Sequence, residues 1–398
     1  MTPGGRHPVR ALLPLVLVFF ATGVSTAVVY PFLSLFLDSA VHASPLQITM
    51  FLIVGPLSGV VTASAIGRLS DRRAIRRALM LAASLAGLIS TGLTAFVRDY
   101  WLLLGLAVTG TALASTLFPQ TLAYARQVLD RDRPDRAALG MSALRTVFSV
   151  AWVVGPPLAA LVMTAGGFTY LYGMAAAMYA IAALVVVFRL GEMQASGTPT
   201  AVEEIGALEV SWWRLMATAA GFTLLQTPLT LVTQVLPLYL GSDLDGDVTD
   251  AGLILALCAA LEIPFMLALG AITTRVSVRA LVLAGGGCGV LYFALAAAAT
   301  SVWQLMAAQI LNALFIAAVA GVGISYVQGM LPRHPGRATA LFTNSFPLGA
   351  MLAGPLFGLA QQFGYRLAWV MATVVCATGL LLLSTTRPAP RPAEHAAG

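Results

Sequence analysis

Glu262 and Arg145 are the two ionisable side chains that lie well inside long apolar runs of this 398-residue chain. A charge facing lipid at the bilayer centre costs at least ~2.5 kcal/mol, so each needs water or a partner. Glu262 sits in Leu261-Glu262-Ile263-Pro264. Pro264 has no N–H to donate and is expected to bend its helix, freeing a carbonyl beside the carboxylate. A carboxylate at that depth can hold a ligand hydroxyl, carry a proton, or bond a facing helix. Arg145 lies about six residues into its run, near enough to one end to snorkel.

Neutral polar residues recur at similar depth. Thr26 and Tyr30 are spaced i, i+4, as are Gln120 and Tyr124. Arg145, Ser149 and Trp152 follow i, i+4, i+7 and share one helix face. Gln226 and Gln234 are i, i+8, Gln309 and Asn312 are i, i+3, and Asn344 stands in a late run. Amides donate and accept together, and an indole adds a flat apolar face, which suits a polyhydroxylated ligand. Any single amide, taken alone, reads first as an interhelical hydrogen bond. The collection across both halves of the chain is the signal.

The elements that must position these groups are long apolar helices. Spans are expected at about 11–37, 45–67, 78–97, 101–125, 139–164, 168–188, 214–240, 250–270, 277–300, 302–327, 338–363 and 366–386. Each can cross a ~30 Å hydrocarbon core as a helix. Nineteen of the 22 basic residues, all arginine, fall in the tails and on alternate connections. Only Arg98 and Arg366 lie on the opposite side. Basic loops translocate poorly, so both termini are expected on the cytoplasmic side. The connection Ser242 to Asp250 holds four aspartates and no base, as an external loop can. The first apolar run is about 27 residues, too long for the core of a cleaved signal. The net charge of +6 follows from this topology, and no basic, aromatic-interleaved stretch offers a nucleic-acid surface. Cys258, Cys288 and Cys376 all lie in spans without paired spacing and read as small apolar packing residues.

The longest polar interruption, Gly191 to Glu209, has linker composition. It divides the chain into an N-terminal bundle at 1–190, a cytoplasmic linker at 191–211, and a C-terminal bundle with a short tail at 212–398. The halves resemble each other. Gly155-Pro156 matches Gly354-Pro355, Arg77-Ala78-Leu79 matches Arg279-Ala280-Leu281, and Tyr124 matches Tyr326, at nearly constant offset. The expected fold is an all-α membrane protein of 12 transmembrane helices in a 6+6 pseudo-symmetric arrangement, the architecture of major facilitator transporters.

Two motifs strengthen that resemblance. The stretch Gly67-Arg68-Leu69-Ser70-Asp71-Arg72-Arg73-Ala74-Ile75-Arg76-Arg77 resembles the facilitator loop motif, with Ala74 near a position that is often glycine. Gly67 is expected to let two helices approach closely. Asp71 with Arg72, Arg76 and Arg77 is expected to form a charge-and-dipole latch. The stretch Ala151-Trp152-Val153-Val154-Gly155-Pro156-Pro157-Leu158 resembles the glycine-proline motif of facilitator exporters. There Gly155 permits close packing while Pro156 and Pro157 bend the helix.

Four segments together resemble the bacterial sugar efflux transporter family. They are Phe118-Pro119-Gln120 through Arg126, Arg145 through Pro157, Leu261-Glu262-Ile263-Pro264, and Leu341-Phe342-Thr343-Asn344-Ser345. The resemblance implies proton-driven export of sugars such as lactose, glucose or thioglycosides from a bacterium, across its cytoplasmic (inner) membrane. It implies no cofactor and no metal, and we expect a monomer whose partners are a small-molecule substrate, protons and the lipid bilayer. A multidrug/proton antiporter on the same scaffold is the near rival. Such proteins often carry an acid deep in the first span, where this chain has Asp38 only near the outer end. Uptake is a further alternative. A membrane-embedded enzyme is remote, because His7, His42, His334 and His395 all fall in tails or loops and build no catalytic or metal cluster.

Overall fold

A computed structural model describes residues 8–73, 75–132, 137–191, 211–331 and 335–386. Among them every regular element is a helix. The first run is α1 (Pro8–Val29), a 3-10 turn at Tyr30–Phe32, and α2 (Leu33–Ser39). Then come α3 (Pro45–Arg72) and α4 (Arg76–Thr94). The next run is segmented into α5 (Tyr100–Leu106), a π-helical stretch Ala107–Thr111, α6 (Ala112–Ala114) and α7 (Leu117–Asp132). After it stand α8 (Ala137–Arg189), α9 (Trp212–Asp243), α10 (Val248–Ile272) and α11 (Val278–Ala298). The chain closes with α12 (Val302–Ile316), a second π-helical stretch Ala317–Val322, α13 (Gly323–Met330), α14 (Pro335–Phe363) and α15 (Arg366–Thr385).

Among the described residues, eleven helical stretches are long and apolar enough to cross a membrane. Helices suit that environment because they satisfy their own backbone polar groups. One of the eleven is two limbs. Gly166 and Gly167 leave helical geometry inside α8, Gly167 at φ 62° where glycine is favoured. Gly155 packs on Ala27, while Ser25 donates to the carbonyl of Ala175. Unbroken helix would hold residues 155 and 175 about 30 Å apart. Both instead touch one short stretch of α1, so the chain doubles back at the glycine pair.

Helix ends are fixed locally. Ser44 and Gln47 form a capping box on α3, and Asp247 and Asp250 form one on α10. Asp243 pairs with Arg366 at 3.6 Å. Asp243, Asp247 and Asp250 therefore have a structural partner or a capping role. Arg98 and Arg366, the two arginines on the arginine-poor side, are also engaged. Arg98 donates to the carbonyls of Thr94, Ala95 and Val97 at the end of α4. Arg366 donates to Ala297 and Ala299 at the end of α11. A cation there complements the negative end of the helix dipole.

The sequence repeat reappears as repeated bonds. Arg77 donates to the carbonyls of Val186 and Val187, and Arg279 to those of Ser384 and Thr386. Tyr124 donates to the Gly191 carbonyl at 3.0 Å, and Tyr326 to that of Thr386 at 3.0 Å. The two π-helical stretches occupy corresponding runs.

Helices before residue 191 pack chiefly on each other, with α1 and α4 against α8. Those after residue 211 do the same, with α9 against α14 and α15. The two groups meet along α3–α14 and α8–α10, and where α9 crosses the Tyr30–Phe32 turn and α2. Gly155 is a true close approach, since an added Cβ would stand 2.5 Å from the Ala27 Cβ. Gly67 is not. α3 runs through it to Arg72, and a Cβ there would meet nothing within 4 Å. The tight contacts of α3 lie at its other end, where Thr49 packs on Gly354 and Gly358. Pro264 lies inside α10, which continues past it to Ile272.

Candidate functional site

Two cavities lie where the helix groups meet. The smaller, 140 Å³, is walled by Trp152 of α8, Cys258 and Glu262 of α10, Tyr292 of α11, and Gln309 and Asn312 of α12. Glu262 is the fifteenth of 25 residues in α10, about 21 Å from its start at 1.5 Å per residue. It is half-buried. The larger cavity, 620 Å³, has mostly apolar walls from α1, α3 and α14, with Ser25, Thr26, Tyr30 and Gln226 among its polar residues.

Tyr30 and Trp152 stand between the two. Their ring centroids are 6.3 Å apart at 70°, an edge-to-face pair, and each ring faces a different cavity. Helix α9 serves both sides as well. Gln226 and Thr230 face the larger cavity, while Leu229, Val232, Thr233 and Leu236 face the smaller. Those spacings are two faces of one helix.

A hydrogen-bond chain lines the smaller cavity. Gln309 donates through Nε2 to the Leu305 carbonyl and to the Tyr292 hydroxyl, both at 3.1 Å. Asn312 donates through Nδ2 to Gln309 Oε1 at 2.9 Å and to Cys258 Sγ at 3.2 Å. Asn312 Oδ1 is buried and has no partner among the described residues. In the larger cavity the same holds for Gln226 Nε2.

Contacts that tie the helix groups together gather at their arginine-poor ends. Gln361 donates to Asp38 Oδ1 at 2.8 Å. Gln234 donates to the Tyr30 carbonyl at 2.7 Å, and Ser34 Oγ donates to the Gln234 carbonyl. A Cβ on Gly252 would lie 2.7 Å from the Pro156 carbonyl oxygen.

The residues expected from the sequence divide accordingly. Glu262, Trp152, Gln309 and Asn312 share the smaller cavity, and Thr26, Tyr30 and Gln226 the larger. Gln234 is committed to the Ser34–Tyr30 seam. Gln120 donates to Ser70 Oγ at 3.3 Å, and Tyr124 ties α7 to Gly191. Both bonds lie toward the arginine-rich ends, and neither residue lines a cavity described above. Asn344 is exposed. Pro156 and Pro157 lie inside α8, the first of them at the Gly252 contact. Arg76 is buried and Arg77 braces α8. The side chains of Asp71, Arg72 and Arg145 lie outside the described residues, as do residues 192–210 of the linker and the tail from residue 387.

Sequence reasoning missed Cys258 and Tyr292 as cavity residues. Cys258 precedes Glu262 by four residues and so shares its helix face, a signal that was present. Nothing in the spacing of Tyr292 marks it. Among the described residues no group of three His, Cys, Asp or Glu could hold a metal ion.

The sequence profile described as Major Facilitator Superfamily matches residues 15–298 and 218–398. Sugar efflux transporter A of Escherichia coli K12 is 33% identical over 362 residues, covering 90% of this chain and 92% of that protein. Sugar efflux transporter A of Dickeya chrysanthemi is 33% identical over 364 residues, covering 90% and 91%. The fold is similar to the crystal structure of a bacterial homolog of the human lysosomal transporter Spinster in an inward-facing, occupied conformation. The TM-score is 0.76 at 14% identity, over 96% of this chain and 98% of the other. An all-helical fold and eleven membrane-length helices among the described residues, with relatives that share a third of their residues with it, place the chain in the sugar efflux transporter family of the Major Facilitator Superfamily, as a multi-pass membrane transporter.

Proposed function

We propose that this transporter exports small sugars or glycosides in exchange for protons by alternating access. The observation that carries the reading is the cavity between the helix groups, with Glu262 in its wall at mid-depth. The seam at Asp38–Gln361 and Ser34–Gln234 would close one side while the arginine-rich side is open. Counting both limbs of α8 gives twelve crossings, with both termini on the arginine-rich side. The arginine bias supports a cytoplasmic assignment for that side, and the bacterial relatives support a bacterial inner membrane. The bundles 1–190 and 212–398 would rock about the cavity as a monomer, joined by the linker 191–211.

Glu262 is the coupling group in this reading. Trp152 offers a face for a sugar ring, and Gln309, Asn312, Thr26, Tyr30 and Gln226 offer polar contacts. Asp71, Arg72, Arg76 and Arg77 would latch the arginine-rich side in the opposite conformation. Arg145 would lie on the approach to Trp152, seven residues away on the same helix face.

The test uses inverted membrane vesicles with an acid interior. Labelled methyl β-glucoside should accumulate inside them and leak out when a protonophore collapses the gradient. Accumulation only in right-side-out vesicles would refute export. The apolar walls of the 620 Å³ cavity favour a second reading, export of apolar drugs. Accumulation of a cationic dye inside the same inverted vesicles, with no sugar movement, would establish that reading instead.

A further inference from the structure

The amide hydrogens in the smaller cavity are already committed. Gln309 is anchored by the Leu305 carbonyl, which can only accept, so its Nε2 must face that carbonyl. Its Oε1 then needs a donor, and Asn312 Nδ2 supplies it. The second Asn312 N–H goes to Cys258 Sγ. The backbone carbonyl thus settles one amide and that amide settles the next. Asn312 Oδ1 is left as a buried acceptor with no donor among the described residues. An unmet buried polar atom costs about 1–3 kcal/mol, so a ligand that meets it recovers that amount.

The other polar groups lean the same way. Thr233 gives its hydrogen to the Leu229 carbonyl at 2.7 Å and keeps only lone pairs. Ionised Glu262 accepts only. The counterweights are the Tyr292 hydroxyl, the weakly donating Cys258 thiol and the indole N–H groups of Trp152 and Trp369, the last buried without a partner among the described residues. Across the partition, Thr26, Thr91 and Thr94 likewise donate to the carbonyls of Thr22, Gly87 and Ser90, while Gln226 Nε2 is an unmet donor there among the described residues.

We infer that this site selects cargo by the hydroxyl hydrogens it donates, with Asn312 Oδ1 as the fixed acceptor that reads one particular hydroxyl. The ligand class is a neutral polyol whose O–H groups point into the wall. At Asn312 Oδ1 a ring oxygen or an ether, which only accepts, does not substitute. This rests on the sugar-transport reading and adds a polarity to it.

The test is binding to purified full-length protein by calorimetry. The probes are methyl β-glucoside and its singly deoxygenated and singly fluorinated analogues. Fluorine keeps the size and the lone pairs of a hydroxyl but has no hydrogen to give. At one ring position both analogues should bind at least about tenfold more weakly than the parent. Asn312→Ala should weaken the parent and erase its advantage over those two analogues, while Asn312→Asp, which keeps an acceptor, retains it. Fluorinated analogues that bind wild-type protein as well as the parent at every position overturn the inference and leave sugar transport standing. A parent glycoside that fails to bind at all, while the protein stays folded, overturns both. The wild-type comparison decides the matter even if a variant does not fold.

Discussion

Tyr30 and Trp152 meet edge to face across the boundary between the two cavities, one ring on each side. They come from different elements. Tyr30 opens the 3-10 turn after α1, and Trp152 lies in the first limb of α8. The pair therefore stands between the 140 Å³ cavity that holds Glu262, Gln309 and Asn312 and the 620 Å³ cavity of mostly apolar walls.

Removing one ring should join the two. Trp152→Ala should weaken binding of a simple methyl glycoside by up to about tenfold, the worth of one aromatic contact. Octyl glycosides should suffer less, because the opened partition admits the chain. Trp152→Phe should keep the wild-type ranking. Affinities for the two glycosides, measured side by side, check this, and an equal loss for both in Trp152→Ala would count against the partition.

Glu262 should link cargo to protons. Ionised Glu262 and Asn312 Oδ1 both accept, so a donating sugar fits the ionised carboxylate and competes with its protonated form. Sugar affinity should rise with pH through the titration of Glu262, by up to about tenfold per pH unit for one proton. Each sugar bound should release a proton, and sugar and proton should exclude each other. Cys258 and Tyr292 are the other titratable groups lining that cavity among the described residues. Glu262→Gln separates their contribution. Calorimetry in buffers of different ionisation enthalpy should show proton release in wild type and none in the variant.

How much of this was legible in the sequence depended on period and depth. The spans and the break near residues 165–167 followed from apolar length. The pairing of Tyr124 with Tyr326 was visible as a repeat. Read physically, that repeat marks a strut used twice, and it explains why Tyr124 braces α7 instead of meeting a ligand. Glu262, Trp152, Gln309 and Asn312 converged because each is a polar or amphipathic group at mid-run that must face inward. Gln234 and Gln120 obeyed the same rule and found other helices, since an inward amide is equally satisfied by a neighbour. Depth along the helix separates the outcomes, and spacing within one helix does not report depth in another. Tyr292 was invisible because its role depends on α11 lying beside α12.

Gly155 offers a check on packing. A Cβ at this site would fall 2.5 Å from the Ala27 Cβ, with the Ala27 backbone at 3.3 Å. Backbone cannot give way as a flexible side chain can. Gly155→Val should destabilise the protein by about 1–3 kcal/mol, as overpacking does. A lowered melting temperature in detergent would register this. Gly67→Ala should leave melting unchanged, because the space beside Gly67 is open.

The last prediction concerns the seam itself. A Cβ built on Gly358 lies 3.5 Å from the Cβ of Thr49, within the range that a disulfide spans. The pair joins the end of α14 to the start of α3, one from each helix group, on the arginine-poor side. If transport requires these ends to part, a covalent bond between them must stop it. The double variant Thr49→Cys, Gly358→Cys should cross-link under mild oxidation, with the linked peptide visible by mass spectrometry. Oxidised protein should still bind sugar from the arginine-rich side, because the cavities stay intact. Its flux should fall to background and return when a reductant cleaves the bond. Each single variant should be indifferent to oxidation, which separates the effect of the bond from that of the new side chains. Full transport by the cross-linked protein would mean that this seam does not open during the cycle, and alternating access about it would have to be abandoned.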